Sequence, residues 1–97
     1  MSELEQLSEL EQKFNEMLHA VRDATIDFKP DNNQKLKLYA FYKQATVGDV
    51  NTDKPSFFNF KDTSKWNAWE KLKGMQKIQA QGNYIKLVKD LEIKSKQ

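Results

Sequence analysis

The chain has no cysteine, a single histidine, two prolines and three glycines in 97 residues. Without cysteine there is no disulfide framework, no thiolate metal site and no cysteine nucleophile. His19 alone cannot build a histidine metal cluster or a two-histidine mechanism. Beside Phe14, Met17 and Leu18 it reads as a partly exposed helical residue. Gly48, Gly74 and Gly82 lie too far apart for a phosphate-cradling loop. No apolar run approaches the roughly 20 residues that cross a bilayer, and no basic, then apolar, N-terminal stretch marks a secretory signal. No length alternates with period two, so no sheet is expected. The carboxylates gather mainly on the first helical segment, where a solvated face accounts for them. The expectation is a soluble, cytoplasmic, non-enzymatic protein with no metal, no cofactor and no catalytic residues.

What is present is charge, and it is unevenly spread. The net charge is +2, yet residues 1–28 carry two basic against seven acidic side chains, and the remainder fourteen against seven. That split suits a localised anion site better than the broad basic surface a nucleic-acid binder needs. The length permits one small domain, which must hold together by packed secondary structure.

Apolar residues recur at helical spacing in four segments. Ser2 with Glu5, or Ser8 with Glu11, opens the first, whose stripe runs Leu4, Leu7, Leu10, Phe14, Met17, Leu18 and Val21. Pro30 disfavours helix at Lys29, and Asp31 with Gln34 forms a capping box for the second, which continues through Tyr39, Tyr42 and Ala45 to Gly48. Asp49 to Lys61 is an irregular connection whose Phe57, Phe58 and Phe60 are expected to plug it onto the bundle. Asp62, Thr63 and Ser64 offer caps for a third helix carrying Trp66, Trp69 and Leu72, ending before Gly74. The fourth carries Ile78, Tyr84, Ile85, Leu87, Val88 and Leu91; it lacks a polar cap and includes Gly82, so its first turn should fray. The last residues, Lys94 to Gln97, are expected to form a mobile tail. Four amphipathic helices bury their stripes against one another, which gives a helical bundle. The second connection is the longest and can cross the bundle, allowing the second and third helices to run parallel.

Tyr39, Tyr42 and Lys43 stand at i, i+3 and i+4 on one helical face, and Lys65 adjoins the Trp66–Trp69 pair. Periodicity alone favours core aromatics with a solvated lysine. The functional alternative is a site for a flat base, phosphates and an apolar tail. Trp69 reads as structural, and Trp66 as partly exposed in a cleft.

The run Tyr-x-x-Tyr-Lys-Gln-Ala-Thr-x-Gly-Asp at Tyr39 to Asp49 closely resembles the signature of the acyl-CoA-binding proteins. Lys-Trp-x-Ala-Trp at Lys65 to Trp69, Leu-Lys-Gly at Leu72 to Gly74, and Tyr84 follow at that family's spacing, and the likeness covers about Phe14 to Leu91. The resemblance implies an all-α four-helix bundle of up-down-down-up topology that binds medium- to long-chain fatty acyl-CoA esters without converting them. It places phosphate contacts on Lys43 and Lys65, a basic first-helix contact on Arg22, and a position near the adenine on Leu18. Tyr39, Tyr42 and Tyr84 would serve the adenine, the 3′-phosphate and the adjoining ligand surface. It implies transient encounters with acyl-CoA-using enzymes and membranes, no nucleic-acid partner, and a monomer.

This chain departs from the family pattern at Thr63, where a lysine is usual, and at Ser56, where glycine is common. Two extra residues separate Arg22 from Pro30, and an N-terminal extension lengthens the first helix. The expected organisation is an extension at 1–11, a binding domain at 12–94 and a flexible tail at 95–97. The alternatives are a helical protein-interaction module using the extended helix and aromatic loop, and a regulatory peptide precursor.

Overall fold

The computed structural model describes residues 2–26, 28–56 and 58–95, Lys94 and Ser95 by backbone only. Phe57 and Lys96–Gln97 lie outside the described residues, and with them the expectations they carried. Four helices follow one another: α1 (Glu3–Arg22), α2 (Asn32–Thr46), α3 (Phe60–Glu70) and α4 (Lys77–Ser95). No strand occurs among the described residues. α4 lies between α1 and α2, and α3 packs on the far side of α2.

Local chemistry starts each helix. The Ser2 hydroxyl accepts the Glu5 N–H at 3.2 Å and caps α1. Asp31 and Gln34 close the anticipated capping box, the Asp31 carboxylate accepting the Gln34 N–H at 2.8 Å and the Gln34 carbonyl accepting the Asp31 N–H at 2.7 Å. At α3 the expectation needs correcting. The cap is Asn59, not Asp62, Thr63 or Ser64. Asparagine holds an advantage here: its carbonyl accepts the Asp62 N–H at 3.2 Å while its amide donates to the Asp62 carboxylate at 2.7 Å. Two contacts outweigh the one that a hydroxyl offers. α4 also runs further than expected, to Ser95.

The core is built from one face of each contributing helix. Phe14 of α1, Leu38 and Ala45 of α2, and Ala80, Tyr84, Ile85, Val88 and Leu91 of α4 form it, with Leu10, Met17, Leu18, Ile26 and Phe28 packed at its edge. Positions 80, 84, 88 and 91 mark the inward stripe of α4. The α1 stripe is only partly used: Phe14 is buried, whereas Leu4 is 79% exposed and Leu7 is exposed too. The first turns of α1 therefore overhang the core.

The aromatic loop contradicts its expected role. Phe58 and Phe60 are each 78% exposed and do not plug the connection onto the bundle. Polar contacts hold it instead. The Trp66 indole donates to the Thr52 carbonyl at 3.0 Å, the Thr63 hydroxyl to the Ser56 carbonyl at 3.2 Å, and the Asn59 N–H to the same carbonyl at 2.9 Å. Phe60 opens α3 one helical face away from Trp69, which takes the buried place.

A left-handed residue ends α1 where no glycine stands. Ala24 has φ 55°, and around it the Thr25 N–H bonds the Ala20 carbonyl at 3.0 Å and the Ala24 N–H the Val21 carbonyl at 3.3 Å. These are the two bonds of a Schellman cap, a motif that normally uses glycine. An L-residue in this region costs on the order of 1 kcal/mol. Ala24→Gly is expected to stabilise the fold by about 0.5 kcal/mol, measured as a higher denaturation midpoint at unchanged slope. A lower midpoint would show that the methyl group outweighs the backbone strain.

Candidate functional site

The site is founded on two facing ladders. Lys35, Tyr39 and Lys43 are spaced i, i+4 on α2; Lys61, Lys65 and Trp69 repeat that spacing on α3. Because α2 packs on α3, the ladders oppose one another. The Lys43 ammonium lies over the Trp69 ring, 4.9 Å from its centroid, and the Lys65 ammonium lies over the Tyr39 ring at 5.4 Å. Each helix thus lays a cation on the other's aromatic face, a contact worth about 0.5–1 kcal/mol at accessible sites. Neither lysine joins an ion pair among the described residues. Both charges remain available to an anion.

Two cavities open along this seam. One, of about 230 Å³, is lined by Tyr39, Lys43, Thr52, Pro55, Asp62, Lys65, Trp66 and Trp69. The other, of about 390 Å³, is lined by Asn32, Lys35, Leu36, Tyr39, Lys61, Ser64 and Lys65. Tyr39 and Lys65 belong to both walls, so the cavities adjoin. In the first, the Asp62 carboxylate is occupied by Asn59, which reduces its competition for the ammonium groups. The second has no carboxylate in its wall, and its surface is mostly apolar because Leu36, the Tyr39 ring and the lysine stems supply it.

A polar clasp fixes the floor of the seam. Gln44 is fully buried, and its amide donates to the Asp49 carboxylate at 2.9 Å and the Met75 carbonyl at 2.8 Å. Both partners are acceptors, so this amide orientation is the one that avoids repulsion. The same Asp49 oxygen accepts the Gly74 N–H at 2.8 Å. That backbone bond, and then the Gln44 bond, lower the Asp49 pKa below the usual carboxylate range. The Trp69 indole donates to the Gly48 carbonyl at 2.8 Å. Gly48 and Gly74 have φ of 97° and 93°, a region open to glycine. The end of α2 is thereby tied to α3 and to the turn before α4, one residue beyond Lys43.

Tyr39, Lys43 and Lys65 line these two cavities together, and the other expected residues are not part of either lining. At about 100° per residue, Tyr42 is turned away from Lys43 around α2. It lines neither cavity and is 40% exposed. It lies close enough to Tyr84 to raise that phenol's pKa, although burial of Tyr84 is the larger cause. Tyr84 is a core residue, its ring edge-on to Phe14 at 5.4 Å and 85°. Leu18 is half-buried against the core. Arg22 is exposed and bonded to Asp23 at 3.0 Å; that contact raises its pKa and lowers that of Asp23. Neither Leu18 nor Arg22 lines either cavity. Trp66 is half-buried at the cleft, as expected. Trp69 is buried but also forms the Lys43 platform, so its structural and site roles coincide. Lys35 and Lys61 escaped the sequence reading. Their signal was the i, i+4 step to Tyr39 and Lys65, visible once the two helices were known to face.

The sequence pattern of the acyl CoA binding protein family matches residues 11–88. An acyl-CoA-binding protein of Saccharomyces cerevisiae is 49% identical over 80 residues, which cover 82% of this chain and 90% of the relative. One from Gossypium hirsutum is 45% identical over 82 residues, 84% of this chain and 90% of the relative. Among solved structures, that of ACBP from Moniliophthora perniciosa superposes with a TM-score of 0.83 at 30% identity, covering 90% of this chain and 84% of the other. Oryza sativa acyl-CoA-binding protein 2 gives 0.79 at 41% identity, covering 90% and 94%. With its four-helix fold and the Tyr39–Asp49 signature, the chain belongs to the acyl-CoA-binding protein family.

Proposed function

We propose that this protein binds medium- to long-chain fatty acyl-CoA esters without chemical conversion and acts as their cytoplasmic buffer and carrier, working as a monomer. The observation that carries this reading is the pair of ammonium groups, Lys43 and Lys65, over opposing rings at the junction of two cavities. Coenzyme A presents phosphates and a flat base at one end and the acyl thioester at the other. Lysines beside Tyr39 offer charge-assisted contacts to the phosphates and an aromatic face to the base. The adjoining 390 Å³ cavity, walled by Leu36, Tyr39 and lysine stems, offers the acyl chain a place out of water.

Within this reading Tyr42 and Tyr84 present phenol groups on the α4 side of α2. Leu18 and Arg22 bound the ligand from α1, and Arg22 exchanges its exposed Asp23 partner for phosphate at small cost. Residues 12–94 form the binding domain and 1–11 an extension. No helix among the described residues is long and apolar enough to cross a membrane, in keeping with a diffusing carrier.

Substitution of either lysine tests the phosphate assignment. Lys43→Ala and Lys65→Ala are each expected to weaken palmitoyl-CoA and CoA alike by about tenfold, as loss of a charge-assisted bond implies. The loss should grow at low ionic strength, where screening is weaker. Calorimetric titration of variants with wild-type circular dichroism provides the measurement. Binding unchanged in both variants would remove the phosphates from this seam.

A further inference from the structure

The 390 Å³ cavity is more cationic than a plain hydrocarbon tail requires. The two ammonium–ring pairs run in the same order along both helices, Lys43 with Trp69 and then Tyr39 with Lys65. α2 and α3 are therefore parallel along the seam. One turn nearer their N-termini, four residues before Tyr39 and Lys65, stand Lys35 and Lys61, and both line this cavity. Asn32 and Ser64 add an amide and a hydroxyl to the same wall. Lys35 lies about 12 Å along α2 from Lys43, at the end of the seam remote from the phosphate contacts.

Lys35 and Lys61 are exposed, and neither joins an ion pair among the described residues. The carboxylates nearest to them in sequence are engaged elsewhere. Asp31 accepts the Gln34 N–H at 2.8 Å, and Asp62 accepts the Asn59 amide at 2.7 Å. Asp62 lines the other cavity. A tail that follows the floor of Leu36, the Tyr39 ring and the lysine stems thus reaches two ammonium groups with no anion in the wall. A terminal methyl gains nothing from them and disturbs their hydration. A terminal carboxylate gains charge-assisted contacts, while its methylenes still cover the apolar floor.

We propose that the favoured cargo is an acyl-CoA whose chain ends in a second carboxylate, the mono-CoA ester of a dicarboxylic acid, held at that end by Lys35 and Lys61. The inference rests on the acyl-CoA reading and narrows it. The CoA phosphates take Lys43 and Lys65, and the remote carboxylate takes the second lysine pair.

Calorimetric titration with paired esters of equal length tests it, octanoyl-CoA against octanedioyl-CoA and the same pairing at six and twelve carbons. The diacid ester should bind severalfold more tightly at one or more of these lengths, and the preference should shrink as salt is raised. Lys35→Met keeps an unbranched apolar stem and removes the ammonium group. It should lower the ratio of diacid to monoacid affinity about tenfold. Lys43→Ala should weaken both esters and leave that ratio in place. Lysines that only cover the floor with their stems would leave the ratio unmoved in Lys35→Met. That result, or a ratio of one or below at every length, would overturn the inference while the monoacid esters still bind. Failure of every ester to bind would overturn the acyl-CoA reading itself, and this inference with it.

Discussion

Palmitoyl-CoA is expected to bind at least a thousandfold more tightly than CoA in a calorimetric titration, whereas removing one lysine changes either affinity far less. The reason lies in how the two cavities divide the ligand. Each methylene withdrawn from water contributes at most about 0.8 kcal/mol. If only five or six sit in the cavity beside Leu36 and Tyr39, that amounts to roughly 4 kcal/mol, or about three orders of magnitude. Ordering the chain removes part of the gain, but a hexadecyl chain has more methylenes than this to place. Each lysine–phosphate contact contributes about 1.4 kcal/mol, the tenfold loss expected on its removal. Affinity should therefore climb with chain length and level off when the cavity is full. Titrations of a series from CoA through octanoyl- to palmitoyl-CoA read both the slope and the plateau. Identical affinities for CoA and palmitoyl-CoA would mean that the 390 Å³ cavity does not take the chain.

Much of the architecture was visible in residue order because local rules and global packing agree. Asp31 with Gln34 and Gly48 mark the ends of α2 by chemistry confined to one turn, and they appear where expected, whereas α3 ends at Glu70 and leaves Leu72 and Gly74 in the turn beyond it. The Lys43–Lys65 pairing was legible only through the resemblance. Periodicity puts Lys43 on a face of α2 but cannot say that α3 supplies the ring beneath it. Misreadings arose where two local signals competed. Asn59 displaced Asp62, Thr63 and Ser64 as cap because its amide serves two partners. Phe58 and Phe60 were assigned inward by hydrophobicity, yet α3 has one face toward α2 and Trp66 with Trp69 already fills it. The left-handed Ala24 left no trace, since a helix-favouring residue occupies a glycine's position. Arg22 and Leu18 remain tied to the site by family likeness, while the packing sets α1 along α4 rather than beside α3.

Trp69→Ala is expected to have the largest effect on stability of any substitution considered, about 3–5 kcal/mol from the lost side chain and the cavity it leaves. Trp69 is 3% exposed, and its indole N–H is the direct bond between α3 and the Gly48 turn. Its removal strips the Gly48 carbonyl of that donor beside the Gln44–Asp49 clasp. A small domain has only about 5–15 kcal/mol of net stability, so a large fraction of the variant would melt at moderate temperature. Trp69→Phe separates the causes. It keeps an aromatic wall but loses the hydrogen bond and some volume, and should cost about 1–2 kcal/mol. Lys43 then still finds a ring below it, so palmitoyl-CoA affinity, measured below the melting transition, should fall less than in Lys43→Ala. Denaturant melts and titrations on both variants check the two halves. A Trp69→Ala midpoint close to the parent's would show that the α2–α3 seam is held by the Gln44–Asp49–Gly74 clasp and not by the indole.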